Sequence, residues 1–232
     1  MNDAIIISDI HLGSEVTEAK TLISFLTKIE NKTIDTKKLI INGDLFDSWD
    51  FRKLKKTHWR VLSHIRKLSK RVHVVWINGN HDGPAEIISH LIGVEFFEEY
   101  KLKSGNKTIL ILHGDVFDNF IVKYPLLTKL ADKIYRFIQK IDKSFYLAKM
   151  AKRNSKTFLR CSEQIKNKAI NYCKKKGCHM VCCGHTHFAE SGDTYFNSGC
   201  WTESPSGYLT VLNGDVFLNF FNQSEIDQNL SF

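Results

Sequence analysis

The feature that most constrains this chain is a series of Asp, His and Asn residues, each placed where a predicted strand runs out. Asp9-Ile10-His11 follows the apolar run Ala4 to Ser8, and Gly43-Asp44 follows Lys38 to Asn42. Gly79-Asn80-His81-Asp82 follows Val72 to Asn78. His113-Gly114-Asp115 follows Lys107 to Leu112, and Gly184-His185-Thr186-His187 follows His179 to Cys183. In open α/β sheets the loops beyond the carboxyl ends of the strands build the site. Five such loops bearing oxygen and imidazole donors therefore predict one convergent metal centre. Residues two apart on an extended chain point the same way, so Asp9 and His11 are expected to reach one ion. His185 and His187 are expected to do likewise, or to straddle two ions. Carboxylate and imidazole without thiolate suit Mn²⁺, with Fe or Zn²⁺ as alternatives.

The segments between these motifs set the fold class. Leu22, Phe25, Leu26 and Ile29 recur at helical spacing, as do Leu54, His58, Val61, Leu62, Ile65 and Leu68. Pro84 opens a short helix to about Leu91. Further strands are expected over Thr194 to Asn197, Tyr208 to Leu212 and Val216 to Phe221, with Asn213-Gly214 as a hairpin turn. Strand–helix alternation followed by antiparallel strands argues for an α/β layered fold with a mixed sheet. One domain over residues 1–232 is expected, interrupted by a helical insertion at about 120–176. There Ile121, Tyr124, Leu127, Leu130, Ile134, Phe137, Ile138 and Ile141 form an apolar stripe, and a second helix spans about Ser155 to Lys175.

Charge separates this insertion from the rest. Residues 120–176 hold sixteen Lys and Arg against three acids, more than the chain's whole excess of +8. Such a face is either a solvated helical surface or a contact for anionic partners. The N-terminus shows no basic, apolar leader pattern, and no apolar run reaches membrane-spanning length, so the reading is cytoplasmic. The six cysteines are then expected to be reduced, and none pairs as C-x-x-C, which argues against a thiolate zinc site.

Taken in order, the motifs resemble the complete signature of the calcineurin-like metallophosphoesterases, over about residues 4–212. The resemblance implies a four-layer αββα sandwich and two metal ions. One ion falls to Asp9, His11, Asp44 and His187, the other to Asp44, Asn80, His113 and His185, with Asp44 bridging. It also makes His81 the general acid at the scissile ester and Asp82 the residue that orients it.

A narrower resemblance rests on Ser8-Asp9-Ile10-His11-Leu12-Gly13, Asn42-Gly43-Asp44-Leu45-Phe46-Asp47-Ser48-Trp49, His113 to Asp118, Arg153 to Lys156, and Asn197-Ser198-Gly199-Cys200-Trp201. These are similar to the UDP-2,3-diacylglucosamine pyrophosphohydrolases of lipid A synthesis. That likeness implies a UDP-linked lipid substrate, an insertion that covers its acyl chains, and Asp118, Arg153 and Ser155 as substrate-binding residues. The basic insertion also suits an anionic membrane surface, which implies peripheral binding. The likeness departs at His81, where the lipid A enzymes carry arginine, and at Leu159 and Ser162, where they carry asparagine and lysine. The alternatives are a phosphodiesterase or phosphatase for a soluble nucleotide or phosphoprotein, a nuclease, and a metal-binding scaffold without turnover. A nuclease calls for aromatic residues along a basic groove, whereas Tyr124 and Tyr135 fall on the apolar stripe. The intact His81 argues against the scaffold.

Overall fold

The computed structural model describes residues 1–83, 85–118 and 156–222. Pro84, the stripe from Ile121 to Ile141, Arg153 and Ser155 lie outside the described residues.

Two sheets pack face to face. The first has the order β11-β10-β1-β2-β3-β4, comprising β1 (Ala4–Ile7), β2 (Lys38–Asn42), β3 (His73–Ile77), β4 (Glu95–Phe97), β10 (Ser206–Leu212) and β11 (Asp215–Phe221). The second has the order β5-β6-β7-β9-β8, comprising β5 (Tyr100–Ser104), β6 (Lys107–Ile111), β7 (Met180–Cys183), β8 (Glu190–Ser191) and β9 (Tyr195–Asn197). Both are mixed: β1, β2, β3 and β4 run parallel, while β10 pairs antiparallel to β1 and β11 pairs antiparallel to β10 at one side. In the second sheet β6, β7 and β9 are parallel and β5 and β8 antiparallel.

The period of two along each central strand divides its side chains between two cores. Ile5, Ile7, Leu39, Ile41, Val74 and Trp76 face α1 (Ala19–Glu30), α2 (Lys56–Leu68) and α3 (Glu86–Ile92). Ala4, Ile6, Ile40, Val75 and Ile77 meet Leu102, Ile109, Ile111, Cys182 and Phe196 between the sheets. Burial on both faces explains why β1 and β2 read as unbroken apolar runs rather than alternating ones. On the outer face of the second sheet, Leu110, Leu112, Val181 and Tyr195 pack against Ala169 and Cys173 of α4 (Lys156–Lys175). The layers are thus α, β, β, α, as the resemblance implied.

Two details differ from the sequence reading. Leu54 does not join α2: Phe51–Lys53 forms a 3₁₀ turn with Leu54 at its end, and the helix begins at Lys56. Residues 156–175, which the charge count placed in the insertion, form the outer layer of the sandwich through the buried Ile165, Ala169 and Cys173. The hairpin appeared as expected. Leu212 pairs with Asp215 across Asn213 and Gly214, whose φ values of 52° and 86° are those of a two-residue type I′ loop.

Candidate metal centre and active site

Because β1, β2 and β3 run parallel, their carboxyl ends open on one edge of the sandwich. The loops there are knitted together before any side chain is considered. The amides of Asp9, Ile10, His11 and Leu12 donate to the carbonyls of Gly43, Asp44, Asp44 and Leu45 at 2.8–3.1 Å. From the far side the amide of Trp201 donates to the Asp9 carbonyl at 3.0 Å. Asn42 joins the two sheets: its amide group donates to the carbonyls of Leu112 (3.1 Å) and Cys182 (3.4 Å).

Asp9, His11, Asp44, His185 and His187 all have φ between 51° and 64°, in the left-handed region. Non-glycine residues rarely sit there, and such strain gathers at functional sites. This also corrects the local picture. Asp9 and His11 do not share a side of an extended chain; they turn off the strand end in left-handed conformations. Gly79 serves a separate need, since a Cβ there would fall on the backbone nitrogen and carboxylate of Asp44.

The side chains converge around two carboxylates. His187 Nε2 lies 3.1 Å from Asp9 Oδ1 and 3.0 Å from His11 Nε2. Asp44 Oδ2 stands 3.3 Å from His113 Nε2, 3.6 Å from His11 Nε2 and 4.0 Å from His81 Nε2. Three overlapping donor sets result, each with its ligand atoms within 4.8 Å of one another: Asp9, His11 and His187; His11, Asp44 and His81; Asp9, Asp44 and His113. Asp9, His11 and Asp44 each belong to two of them. Asn80 occupies the exposed turn after β3.

Protonation follows from this crowding. Burial opposes ionisation of Asp9, but His187 beside it outweighs burial and holds the carboxyl at about 2. Burial likewise opposes ionisation of Asp44, and His113 and His11 pull it well below the usual carboxylate range. Burial lowers His187 and His113, yet Asp9 lifts the first to about 10 and Asp44 the second well above an ordinary imidazole. His11, where burial dominates, falls to about 3.

The donor set fits divalent cations. His113 Nδ1 donates to the Asn42 carbonyl at 2.9 Å, which leaves Nε2 as the basic nitrogen. That Nε2, like Nδ1 of His11, is buried with no hydrogen-bond partner among the described residues. A buried polar atom left so costs about 1–3 kcal/mol unless a ligand satisfies it. Oxygen and nitrogen donors at these spacings are what Mn²⁺, Fe or Zn²⁺ require.

His185 is placed differently from its neighbours. Its amide donates to both oxygens of Asp9 at 3.1 Å, and its ring stands edge-on to His113, with centroids 5.3 Å apart. Its Nε2 pairs with Asp118 Oδ2 at 3.0 Å. Asp118, expected to touch substrate, therefore meets a candidate metal ligand.

His81 is anchored by main chain. Its Nδ1 donates to the Asp47 carbonyl at 2.9 Å, and its amide donates to Asp44 Oδ1 at 2.9 Å. Nε2 is thereby presented toward Asp44, with the ring edge-on to His11 at 5.0 Å. Asp82 accepts from the amides of Phe46 (3.1 Å) and Gly79 (3.1 Å) and from the Trp76 indole (3.2 Å). It ties the β2 and β3 loops together, and the direct partner of the His81 ring is Asp47. Burial first, then the Asp44 charge, raises Asp82 to about 8. Sequence reasoning missed Asp47 and Asn42 because each acts on a histidine through its carbonyl, which every residue possesses.

The family signature of the calcineurin-like phosphoesterases matches residues 4–189. A UDP-2,3-diacylglucosamine hydrolase of Shewanella piezotolerans is 33% identical over 122 residues, covering 47% of this chain and 46% of the relative. That match, and a similar one from Blochmanniella floridana, spans about half the length of the relative. A UDP-2,3-diacylglucosamine hydrolase of Blochmanniella pennsylvanica is 25% identical over 95% of this chain and 97% of its own. Among solved structures, an archaeal phosphodiesterase superposes with a TM-score of 0.48 at 12% identity, covering 94% of this chain and 99% of that one. With the signature covering four-fifths of its length and the ligand-bearing strand ends in place, the chain belongs to the calcineurin-like phosphoesterases.

Proposed function

We propose that this chain is a dinuclear metal-dependent hydrolase of phosphoester or diphosphate bonds, acting on a UDP-linked lipid. The observation that carries the chemistry is the convergence of Asp9, His11, Asp44, His113 and His187, with Asp9, His11 and Asp44 each shared between donor sets. Asp9, His11, Asp44 and His187 would hold one ion; Asp44, Asn80, His113 and His185 the other, with Mn²⁺ the favoured metal. Divalent ions held there supply positive charge against the oxygens of the transferring phosphoryl group. The rest is the protein's own work. His81, with Nδ1–H held by the Asp47 carbonyl, offers a protonated Nε2 to the leaving oxygen, general acid catalysis worth about 10²–10⁴-fold. Asp82 serves at one remove, by holding the loops that carry Asp44 and His81.

The names of the relatives support the lipid substrate, and so does the basic, apolar-striped insertion. Arg153 and Ser155 remain substrate-binding candidates on that reading, and the protein would act at an anionic membrane surface. His81 favours a second reading, a soluble phosphodiesterase. An imidazole anchored at Nδ1 is a proton donor, whereas the arginine of the lipid A enzymes is a fixed cation.

The test is a side-by-side assay of purified protein on UDP-2,3-diacylglucosamine and on soluble nucleotide diesters, with Mn²⁺ and with chelator. The proposal expects chelator-sensitive release of UMP from the lipid, at a kcat/KM at least tenfold above any soluble ester. Equal rates on both substrates would hand the site to the soluble reading.

A further inference from the structure

We propose that Asp118 is a positioning residue that fixes the His185 imidazole for its metal ion, rather than a residue that binds substrate. The inference rests on the dinuclear reading above. A carboxylate only accepts hydrogen bonds, so the 3.0 Å contact places the proton of a neutral His185 on Nε2. Nδ1 is then the unprotonated nitrogen and the one able to coordinate. Both side chains are largely buried, at 8% and 14% exposure, so solvent neither competes for the contact nor screens it strongly. Carboxylate partners of metal-bound histidines set tautomer and ring orientation in this way, and their loss typically costs about 10–100-fold in metal affinity.

The position of Asp118 is itself built. It ends the single 3₁₀ turn Asp115–Phe117, where its amide donates to the Asp115 carbonyl at 2.9 Å and the Phe117 amide donates to the Gly114 carbonyl at 3.1 Å. α4 braces that turn from outside. Lys168 Nζ donates to the Phe117 carbonyl at 3.0 Å, and the Phe117 and Tyr172 rings meet at 5.6 Å. His185 is fixed from the opposite direction by its amide on the Asp9 carboxylate. The imidazole is therefore clamped between the turn that α4 holds and the loop that follows β1.

The experiment uses the full chain and Co²⁺ as the probe. Wild type, Asp118→Asn and Asp118→Ala are stripped with chelator, checked for folding by thermal unfolding, and titrated with Co²⁺, reading stoichiometry and visible absorption. Wild type should take up two ions. Asp118→Ala should bind one of them about 100-fold more weakly and leave the other unchanged. Asp118→Asn keeps an acceptor oxygen but loses the charge, and should weaken the same ion by about tenfold. With a small phosphodiester, kcat should fall in both variants and recover at high metal, with little change in KM. Wild-type affinity for both ions in Asp118→Asn would overturn the inference, whether or not Asp118→Ala folds. So would a rise confined to the KM for the lipid, which would return Asp118 to substrate binding. A wild-type chain holding fewer than two ions would instead overturn the dinuclear reading on which the inference stands.

Discussion

His81 owes its place to three contacts that leave one ring nitrogen for chemistry. Two are hydrogen bonds, to the Asp44 carboxylate and the Asp47 carbonyl, and the third is the edge-on His11 ring. The amide contact to Asp44 survives removal of the ring, and the proposed ligand sets leave His81 out. His81→Ala is therefore expected to retain both metal ions while turnover falls about 10²–10⁴-fold. The loss should shrink on esters with good leaving groups, which need no proton. Equal losses on nitrophenyl and alkyl esters, measured at saturating metal, would instead make His81 structural. His187 and His113 give a pH prediction. Burial lowers both, yet Asp9 and Asp44 lift them above the ordinary value, His187 to about 10. Coordination needs the neutral imidazole, so metal uptake at pH 7–8 must expel protons, and affinity should rise with pH up to about 10. Calorimetric titration with Mn²⁺ in buffers of different ionisation enthalpy should show net proton release; a buffer-independent heat would contradict it. The candidate ligands were legible in sequence, because Asp, His and Asn at strand ends are chemically distinctive. Their supports were not. The Asn42 and Asp47 carbonyls carry no side-chain identity, and the Asp118–His185 pair spans 67 positions that only the fold brings together.

Elements are held in register by contacts well away from the chemistry, and Asp3 is the clearest. Its carboxylate accepts from Lys37 Nζ (2.7 Å), Ser104 Oγ (2.6 Å) and the Asn213 amide (3.0 Å). Those groups lie just before β2, at the end of β5 and in the β10–β11 turn, so one residue pins both sheets at the edge where β1 begins. The Lys37 hydrogen bond leads in lowering Asp3 to about 2, with Ser104 next. A depressed carboxylate stabilises the fold above its unfolded value near 3.8, and the contribution fades as pH falls from about 4 to 2. Asp3→Asn should cost about 1–3 kcal/mol at pH 7 and flatten the acid limb of the stability profile between those limits. An unchanged limb in denaturant melts at pH 2–5 would place the stability elsewhere. At this scale the sequence was readable where strands are central. β1, β2, β3, β6 and β7 are apolar runs because both faces are covered. β4 and β5 escaped notice because they are sheet edges. β4 is three residues long, and β5 alternates the exposed Lys101 and Lys103 with Leu102 and Ser104, a pattern that blunts an edge against further pairing.

For the whole molecule the choice of partner turns on what the positive segment faces. Residues 120–176 carry sixteen cationic side chains, but those in α4 belong to a helix whose Ile165, Ala169 and Cys173 close the outer core. Removing that helix would strip a layer from the sandwich, so a deletion that tests the insertion must stop before it. Replacing residues 120–154 by a short Gly-Ser linker keeps α4, its Lys168 contact to the Phe117 carbonyl, and all seven proposed metal ligands. If the segment serves a lipid substrate, this variant should lose hydrolysis of UDP-2,3-diacylglucosamine while cleaving a small chromogenic phosphodiester at near the parent rate. Membrane attachment should go with it. Among the described residues no helix is long and apolar enough to cross a bilayer. The attachment proposed for the basic segment is electrostatic. The attraction amounts to about 1 kcal/mol per Lys or Arg near an anionic surface and is screened over about 8 Å at physiological salt. Intact protein should therefore sediment with phosphatidylglycerol vesicles at low salt, where screening is weakest. It should leave them as salt rises and ignore zwitterionic vesicles throughout. The deletion variant should stay in solution in every case. Vesicle binding that persists in the variant would move the contact to the outer face of α4, whose Lys174 and Lys175 are exposed. Loss of the small diester activity would show that residues 120–154 hold the metal site together, against the reading of them as a cover for substrate.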